Sequence, residues 1–198
     1  MPVDWKNRVV FIHIPKCGGT SLENRYDLNH PENLYQEDFK AFCINGIHFA
    51  PQHFTWDIIV ARHPEVADFP SYAVVRDPLE KLVSEYFYLK ERFYLRPVVK
   101  FNEFKFFLWV LMTRKNMDHL LDQNQFLGPN TQVISLHELD EKISDLDALH
   151  NFESTEGLKR RNSGRQNSQR IADSLTKLTR MVCQLKYRTD YKKLQEYF

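Results

Sequence analysis

The segment Phe11–Leu22, FIHIPKCGGTSL, places an apolar run directly before a loop that contains a lysine, two glycines and two hydroxyl side chains. The β-branched run Arg8–Ile14 that leads into this loop is typical of a buried parallel strand. After the loop, Thr20 or Ser21 can cap a helix, which we expect to continue to about Leu28. The segment therefore predicts a strand, a glycine loop and a helix in succession.

The rest of the chain continues the alternation of strands and helices. Further strands are predicted at Ala41–Ala50, Ser71–Arg76 and Thr131–Leu136, because these runs are rich in β-branched and aromatic residues. Alternating elements predict an α/β fold, with a parallel β-sheet of about four strands flanked by helices. Ligands are expected at the carboxyl ends of the strands, where the glycine loop and Arg76 both fall.

Four helices are predicted after the second strand. Asp77 is expected as the N-cap and Pro78 as the first residue of a helix that continues to about Tyr94. The other three are expected at Phe104–Met112, as a core helix that is apolar nearly all round, at His137–Leu149, and across Ile171–Phe198. Between the last two, Thr155–Gln169 lacks apolar periodicity and is predicted to be a basic loop.

Composition limits the possible functions. A chain of 198 residues, 42% of them hydrophobic, is expected to form a single domain over residues 1–198. The formal charge of +1 makes a nucleic-acid partner unexpected, so any anion site must be local.

Cysteine usage and hydropathy bear on the compartment. Three cysteines without paired spacing predict no disulfide framework and favour a reducing environment. We find neither a signal-peptide pattern nor a membrane-spanning run, so we expect a cytoplasmic protein. A Golgi-lumenal domain that lacks its membrane anchor remains an alternative.

The glycine loop has the chemistry of an anion site. Adjacent glycines let the backbone approach a ligand closely, and consecutive N–H groups that lead into a helix bind anions. A lysine adds positive charge and two hydroxyl groups add donors, so phosphate or sulfate is the expected ligand. The predicted site consists of Pro15, Lys16, Cys17, Gly18, Gly19, Thr20 and Ser21.

Other phosphate-binding motifs fit the loop less well. In a Walker A loop the lysine follows the glycines, whereas Lys16 precedes them, so a nucleotide kinase is disfavoured. The dinucleotide pattern G-x-G-x-x-G is absent. Cys17 at a helix N-terminus suggests a phosphatase nucleophile, but the arginine that such a loop needs six residues later is Glu23 here.

Two segments together point to a family. HIPKCGGTSL is followed by YAVVRDPLEKLVSEYFY at Tyr72–Tyr88, with NGIHFA between them and LKYRTDYKKLQEYF at the end of the chain. The first two resemble the 5′-phosphosulfate loop and the 3′-phosphate segment of carbohydrate sulfotransferases related to heparan sulfate 2-O-sulfotransferases and their bacterial relatives. The third and fourth resemble that family's Gly-His segment and its closing Tyr…Asp-Tyr pattern. Cys17 replaces the usual threonine of the loop, and the chain is a short member.

This resemblance implies the donor 3′-phosphoadenosine 5′-phosphosulfate and a hydroxyl-bearing acceptor, most simply a saccharide. It implies that Arg76 and Ser84 bind the 3′-phosphate, and that Lys16 neutralises charge on the oxygen that bridges sulfate to the 5′-phosphate. His48 is the expected general base, with His53 in reserve. No metal is expected. A basic flap over the nucleotide is expected from Arg160, Arg161 and Arg165.

Two classes of function remain open from the sequence. The first is a sulfotransferase of the kind described, in which the acceptor oxygen attacks sulfur in line. The second is a non-catalytic nucleotide- or anion-binding module that retains the donor loop. The short chain and Cys17 keep the second class open, whereas Lys16 together with His48 favours the enzyme.

Overall fold

The computed structural model describes residues 2–33, 42–94, 101–154, 157–158 and 165–198. Its strands are β1 (Val3–Asp4), β2 (Val9–Ile12), β3 (Phe42–Ile44), β4 (Ile47–Phe49), β5 (Ser71–Val75) and β6 (Gln132–Ser135). Its helices are α1 (Gly19–Arg25), α2 (Trp56–Arg62), α3 (Pro78–Tyr94), α4 (Glu103–Met112), α5 (Leu139–Leu149), α6 (Arg165–Ser174), α7 (Lys177–Lys186) and α8 (Arg188–Lys193). Short 3₁₀ helices lie at Pro31–Asn33, Pro51–His53, Pro64–Asp68, Asp118–Leu120, Gln123–Gln125 and Gln195–Tyr197.

The main sheet has four strands in the order β1-β2-β5-β6. Strands β2, β5 and β6 are parallel, which confirms the three predicted strands and the mixed α/β class. The fourth member is β1, which pairs antiparallel with β2 at the sheet edge. A two-residue strand carries almost no periodic signal, so this strand was not predicted.

The strand predicted at Ala41–Ala50 is wrong. Within the described part, from Phe42 onward, the segment forms the antiparallel hairpin β3–β4 in a separate two-stranded sheet. Asn45 and Gly46 form its turn, with φ values of 53° and 77°. An Asn-Gly pair in the left-handed region favours a tight hairpin turn, and here it interrupts the run that suggested one strand.

The loop after β2 leads into a helix, as predicted, but the start of that helix differs. It begins at Gly19, with Gly18 as a left-handed N-cap (φ 86°) and no side-chain cap, so neither Thr20 nor Ser21 caps it. Glycine is required at position 19 as well, because a Cβ there would overlap the His13 ring. The helix ends at Arg25 and does not reach residue 28.

The helix after β5 follows the prediction at both ends. Asp77 Oδ1 accepts the N–H groups of Leu79 at 2.8 Å and Glu80 at 3.1 Å, and α3 begins at Pro78 and continues to Tyr94. Helix α6 begins at Arg165, so the predicted basic loop is wrong from that residue on.

Two other helix predictions need correction. The helix predicted across Ile171–Phe198 is divided among the end of α6, α7, α8 and a 3₁₀ turn. Helix α4 is not a core helix on all sides, because Phe104, Leu111 and Met112 are exposed.

Apolar residues cover both faces of the main sheet. Val10, Ile12 and Val75 pack on one face, and Phe11 and Val74 pack on the other. This explains why the parallel strands are continuous hydrophobic runs. A third cluster joins α3, α4 and α7. None of the described helices has the length and apolar character needed to cross a membrane.

Candidate functional site

The two predicted phosphate-binding motifs meet at the carboxyl ends of adjacent strands. Ile12 of β2 pairs with Ala73 of β5, so the residues that follow each strand emerge side by side. Nη1 of Arg76 donates to the carbonyl oxygen of Lys16 at 3.5 Å. The Arg76 side chain and the Lys16 backbone, 60 residues apart in sequence, are therefore in contact.

A buried glutamine joins the same two motifs. The Gln123 side-chain oxygen accepts the Arg76 N–H at 2.9 Å and the Cys17 thiol at 3.2 Å, and its amide nitrogen donates to the Arg76 carbonyl at 2.7 Å. Gln123 has no exposed surface. We had not predicted this residue, because it lies outside every motif.

The closing motif of the chain holds Gln123 in place. Asp190 is completely buried, and its carboxylate accepts the backbone N–H groups of Gln123 at 2.8 Å and Asn124 at 3.0 Å. Tyr187 donates its hydroxyl to the Leu120 carbonyl at 2.8 Å. The Tyr…Asp-Tyr pattern therefore has a structural role: it fixes the backbone at Leu120 and at Gln123.

Arg76 has a nitrogen ready for a ligand. The residue is only 4% exposed, and its Nε donates to Glu80 Oε2 at 2.9 Å. Among the described residues, its buried Nη2 has no hydrogen-bond partner. Buried donors are rarely left unpaired, because each such group costs about 1–3 kcal/mol. An anion that enters here can accept from this nitrogen.

Lys16 has a strained backbone in the loop. Its φ of 67° lies in the left-handed region, which non-glycine residues seldom occupy and which is often retained at functional sites. Its ammonium lies 4.1 Å from the centroid of the Tyr88 ring, which in turn stacks on His119 at 5.4 Å. The side chain thus reaches from the loop across to α3.

Cys17 faces the protein interior. Its thiol is buried and donates to Gln123, and burial raises its pKa to about 12. A thiol that remains protonated is a poor nucleophile. This agrees with the exclusion of a phosphatase mechanism.

Three histidines lie in a row beside the loop. The ring of His53 lies 4.7 Å from that of His13 and 5.0 Å from that of His119. In each of them Nδ1 contacts a different carboxylate: Glu23 at 2.5 Å for His13, Asp118 at 2.8 Å for His53, and Glu85 at 2.8 Å for His119. Among the described residues, no hydrogen bond occupies the Nε2 atom of any of the three rings.

The central pair, His53 and Asp118, has a defined protonation state. Burial lowers the pKa of His53 well below its ordinary value, so the ring is neutral near pH 7. Burial acts to raise the pKa of Asp118, but hydrogen bonds from His53 and the Ala50 N–H outweigh it and bring the value to about 2. An ionised carboxylate only accepts, so Nδ1 of His53 must carry the proton and Nε2 has a free lone pair.

The two histidines proposed as the base lie in different surroundings. His48 is exposed on β4, and its N–H donates to the Asn116 carbonyl at 3.0 Å. Among the described residues, no side-chain hydrogen bond, ion pair or ring contact joins His48 to Lys16 or Arg76. His53 is 5% exposed and lies in the histidine row that borders the loop.

The remaining predicted residues have fewer contacts with Lys16, Arg76 and the histidine row. Ser84 is half-buried two turns into α3, and no hydrogen bond between Ser84 and Arg76 is found in the described part of the chain. Thr20 and Ser21 are half-buried in the first turn of α1. Arg160 and Arg161 lie outside the described residues, as does the side chain of Arg165.

The histidine row also contains a group suited to metal ions. Ligand atoms of His53, Asp118 and His119 all lie within 4.8 Å of one another. Two imidazoles and one carboxylate are a common donor set for zinc or iron. The hydrogen bond from His53 to Asp118 is an equally complete explanation of this arrangement.

Comparison with known proteins gave one match. The family model described as "Sulfotransferase family" matches residues 1–198. Searches of curated proteins and of solved structures found no match.

Proposed function

The chain belongs to the sulfotransferase family, and from that premise we propose that it transfers a sulfuryl group from 3′-phosphoadenosine 5′-phosphosulfate to a hydroxyl group. The proposed acceptor is a carbohydrate, by resemblance to heparan sulfate 2-O-sulfotransferases. Family membership itself supports a transferase that moves sulfuryl groups.

One observation carries the choice of donor: the contact between Arg76 and the Lys16 carbonyl at 3.5 Å. The donor has a phosphate at the 3′ position and a phosphosulfate at the 5′ position of the same ribose, so its two binding segments must lie close together. Gln123 ties them to each other from behind. The unpaired Nη2 of Arg76 gives the 3′-phosphate a charge-assisted donor.

Lys16 has the electrostatic role in the proposed reaction. As the acceptor oxygen forms a bond to sulfur, the bond from sulfur to the bridging oxygen breaks, and negative charge develops on the 5′-phosphate that leaves. An ammonium beside that oxygen stabilises the transition state more than the ground state. The backbone N–H groups of Gly18 and Gly19 supply further donors in the proposed cradle.

We assign the general base to His53 and give Asp118 the role of a positioning residue. The acceptor hydroxyl loses its proton to Nε2 of His53, and Asp118 stabilises the resulting imidazolium through Nδ1. Three features favour His53 over the exposed His48. His53 is buried, it is hydrogen-bonded to Asp118, and its neighbour His119 stacks on Tyr88, whose ring contacts the Lys16 ammonium. His48 remains the choice that the family resemblance alone supports.

Ligand-dependent thermal unfolding tests the donor assignment. Adenosine 3′,5′-bisphosphate is expected to raise the unfolding temperature without a metal, whereas ATP with magnesium is expected to have a much smaller effect. An equal response to both ligands would refute the assignment. Transfer of labelled sulfate to a panel of saccharides then separates the enzyme from a binding module, which would bind the bisphosphate and transfer nothing.

A chelator distinguishes metal-free transfer from metal-assisted transfer. We expect full activity after dialysis against EDTA, because the proposed reaction needs only Lys16 and a histidine base. Loss of activity that zinc restores would instead assign a metal to His53, Asp118 and His119.

A further inference from the structure

Exposed apolar side chains are concentrated on two helices. Among the described residues, nine large hydrophobic side chains are exposed, and seven of them lie on α4 and α7. They are Phe104, Leu108, Leu111 and Met112 on α4, and Leu178, Met181 and Leu185 on α7, with exposed fractions from 38% to 76%. Scattered apolar residues need no explanation, but such a concentration does.

The two helices lie side by side and run in the same direction. At their N-terminal ends, Glu103 Oε1 accepts from Thr176 Oγ1 at 2.7 Å and Thr179 Oγ1 at 2.6 Å. At their C-terminal ends, the Lys186 ammonium donates to the carbonyls of Val110 and Thr113. Both ends are therefore fixed, and the exposed residues of the two helices are held at matching heights.

Their spacing is that of helices that pack against other helices. On α4 the exposed residues follow steps of four and three from Phe104 to Leu111, and on α7 they follow steps of three and four from Leu178 to Leu185. Such steps form one stripe along a helix, as in the seam of a coiled coil. Each stripe is about 10–12 Å long at 1.5 Å per residue. Two parallel stripes make one apolar face, here called the α4–α7 face.

The size of this face approaches one half of a stable dimer. The exposed fractions of the seven residues together equal about four fully exposed large side chains. Six of the seven are Leu or Met, so the low end of the aromatic range, about 150–200 Å² each, applies, and they leave roughly 600–800 Å² in water. This is at or above the 300–600 Å² that is typical of the largest patch on a monomer, and it approaches the ~800 Å² per partner of a standard interface.

We propose that the α4–α7 face binds the same face of a second copy of this chain. A two-fold axis would place four helices against one another and bury both pairs of stripes at once. An anionic membrane is the rival partner, since the face adjoins basic residues. Two of these are already engaged, however: Arg180 bonds to the Leu175 and Asp173 carbonyls, and Lys186 bonds to α4. The proposal does not depend on the catalytic assignment.

Sedimentation equilibrium of the wild type and of the double variant Met112→Lys, Leu185→Lys tests the proposal. The wild type is expected at about 47 kDa, twice the 23.7 kDa of one chain, at roughly 10 µM. The double variant is expected at the monomer mass, with unchanged circular dichroism. Phe152→Lys, at an exposed apolar residue outside the face, is the control and is expected to remain dimeric.

Three outcomes would overturn the proposal: a wild type that is monomeric at about 100 µM, a double variant that remains dimeric, or a monomeric wild type that binds phosphatidylserine vesicles. If the double variant fails to fold, amide hydrogen exchange of the wild type tests whether the dimer forms. Protection of residues 104–112 and 178–185 must then rise with protein concentration, and constant protection refutes the dimer.

Discussion

Replacing Arg76 with lysine separates its two roles. The guanidinium is buried against Glu80, and its Nη atoms face Lys16 and the proposed 3′-phosphate site. Arg76→Ala would leave the buried Glu80 carboxylate with only the distant His137 Nε2, at 3.7 Å, as a partner. Removing one member of a buried ion pair costs up to about 3–5 kcal/mol and endangers folding. Arg76→Lys keeps a positive charge for Glu80 but removes the planar fork.

The expected loss follows from the donor that is removed. A hydrogen bond to a charged group contributes about 1.5–3 kcal/mol, and Nη2 is free to make one such bond to the 3′-phosphate. Arg76→Lys is therefore expected to weaken adenosine 3′,5′-bisphosphate binding by about 10–150-fold. Isothermal titration calorimetry measures this directly. Arg62→Lys, on an exposed arginine that contacts Phe42 and Phe54, is the matched control.

A second ligand locates the effect at the 3′ position. Adenosine 5′-phosphosulfate has no 3′-phosphate, so its affinity is expected to be nearly the same for the wild type and for Arg76→Lys. Equal losses for both ligands would mean that Arg76 supports the loop in general. No loss for either ligand would refute its role in donor binding.

Three other changes test the rest of the site. Lys16→Ala is expected to lower turnover by about 10²–10³-fold and to change bisphosphate affinity little. Steady-state kinetics measure the turnover and calorimetry measures the affinity, and an affinity that falls as much as turnover would contradict the proposed role. His53→Gln is expected to lower turnover by about 10²–10⁴-fold while His48→Ala keeps it, and the reverse result in labelled-sulfate transfer would return the base to His48. The pKa values of His53 and Asp118 are both lowered by folding, so the unfolded chain binds more protons and stability must fall as the pH drops below about 6.5 and again below about 4. Urea midpoints at pH 7.5, 5.5 and 3.5 measure this, and a midpoint that rises toward acid would refute it.

The parts of the fold that the sequence predicted are those with strong local signals. The run that contains β2 is rich in β-branched residues, and Asp77-Pro78 is a helix start that needs no tertiary contact. The β3–β4 hairpin was misassigned although its Asn-Gly turn is visible in the sequence, because its flanking residues are as apolar as those of a buried strand. The local pattern of apolar residues alone does not distinguish a buried strand from a hairpin.

The parts that could not be predicted depend on distant contacts. The apolar residues of α4 suggested burial on all sides, and only the position of α7 shows which of them remain in water. His53 has no more local signal than His48. Its advantage comes from Asp118, which lies 65 residues further along the chain.

Gln123 explains how the site tolerates a cysteine where the resembling family has a threonine. A threonine hydroxyl and a cysteine thiol can each donate one hydrogen bond, although the thiol is the weaker donor. The thiol remains protonated, with a pKa of about 12, so its proton continues to point at the Gln123 oxygen. That oxygen also accepts the Arg76 N–H, and Asp190 fixes the backbone of Gln123 from the end of the chain. The residue at position 17 therefore contacts Arg76 indirectly, through the Gln123 oxygen that links the two segments proposed to bind the donor.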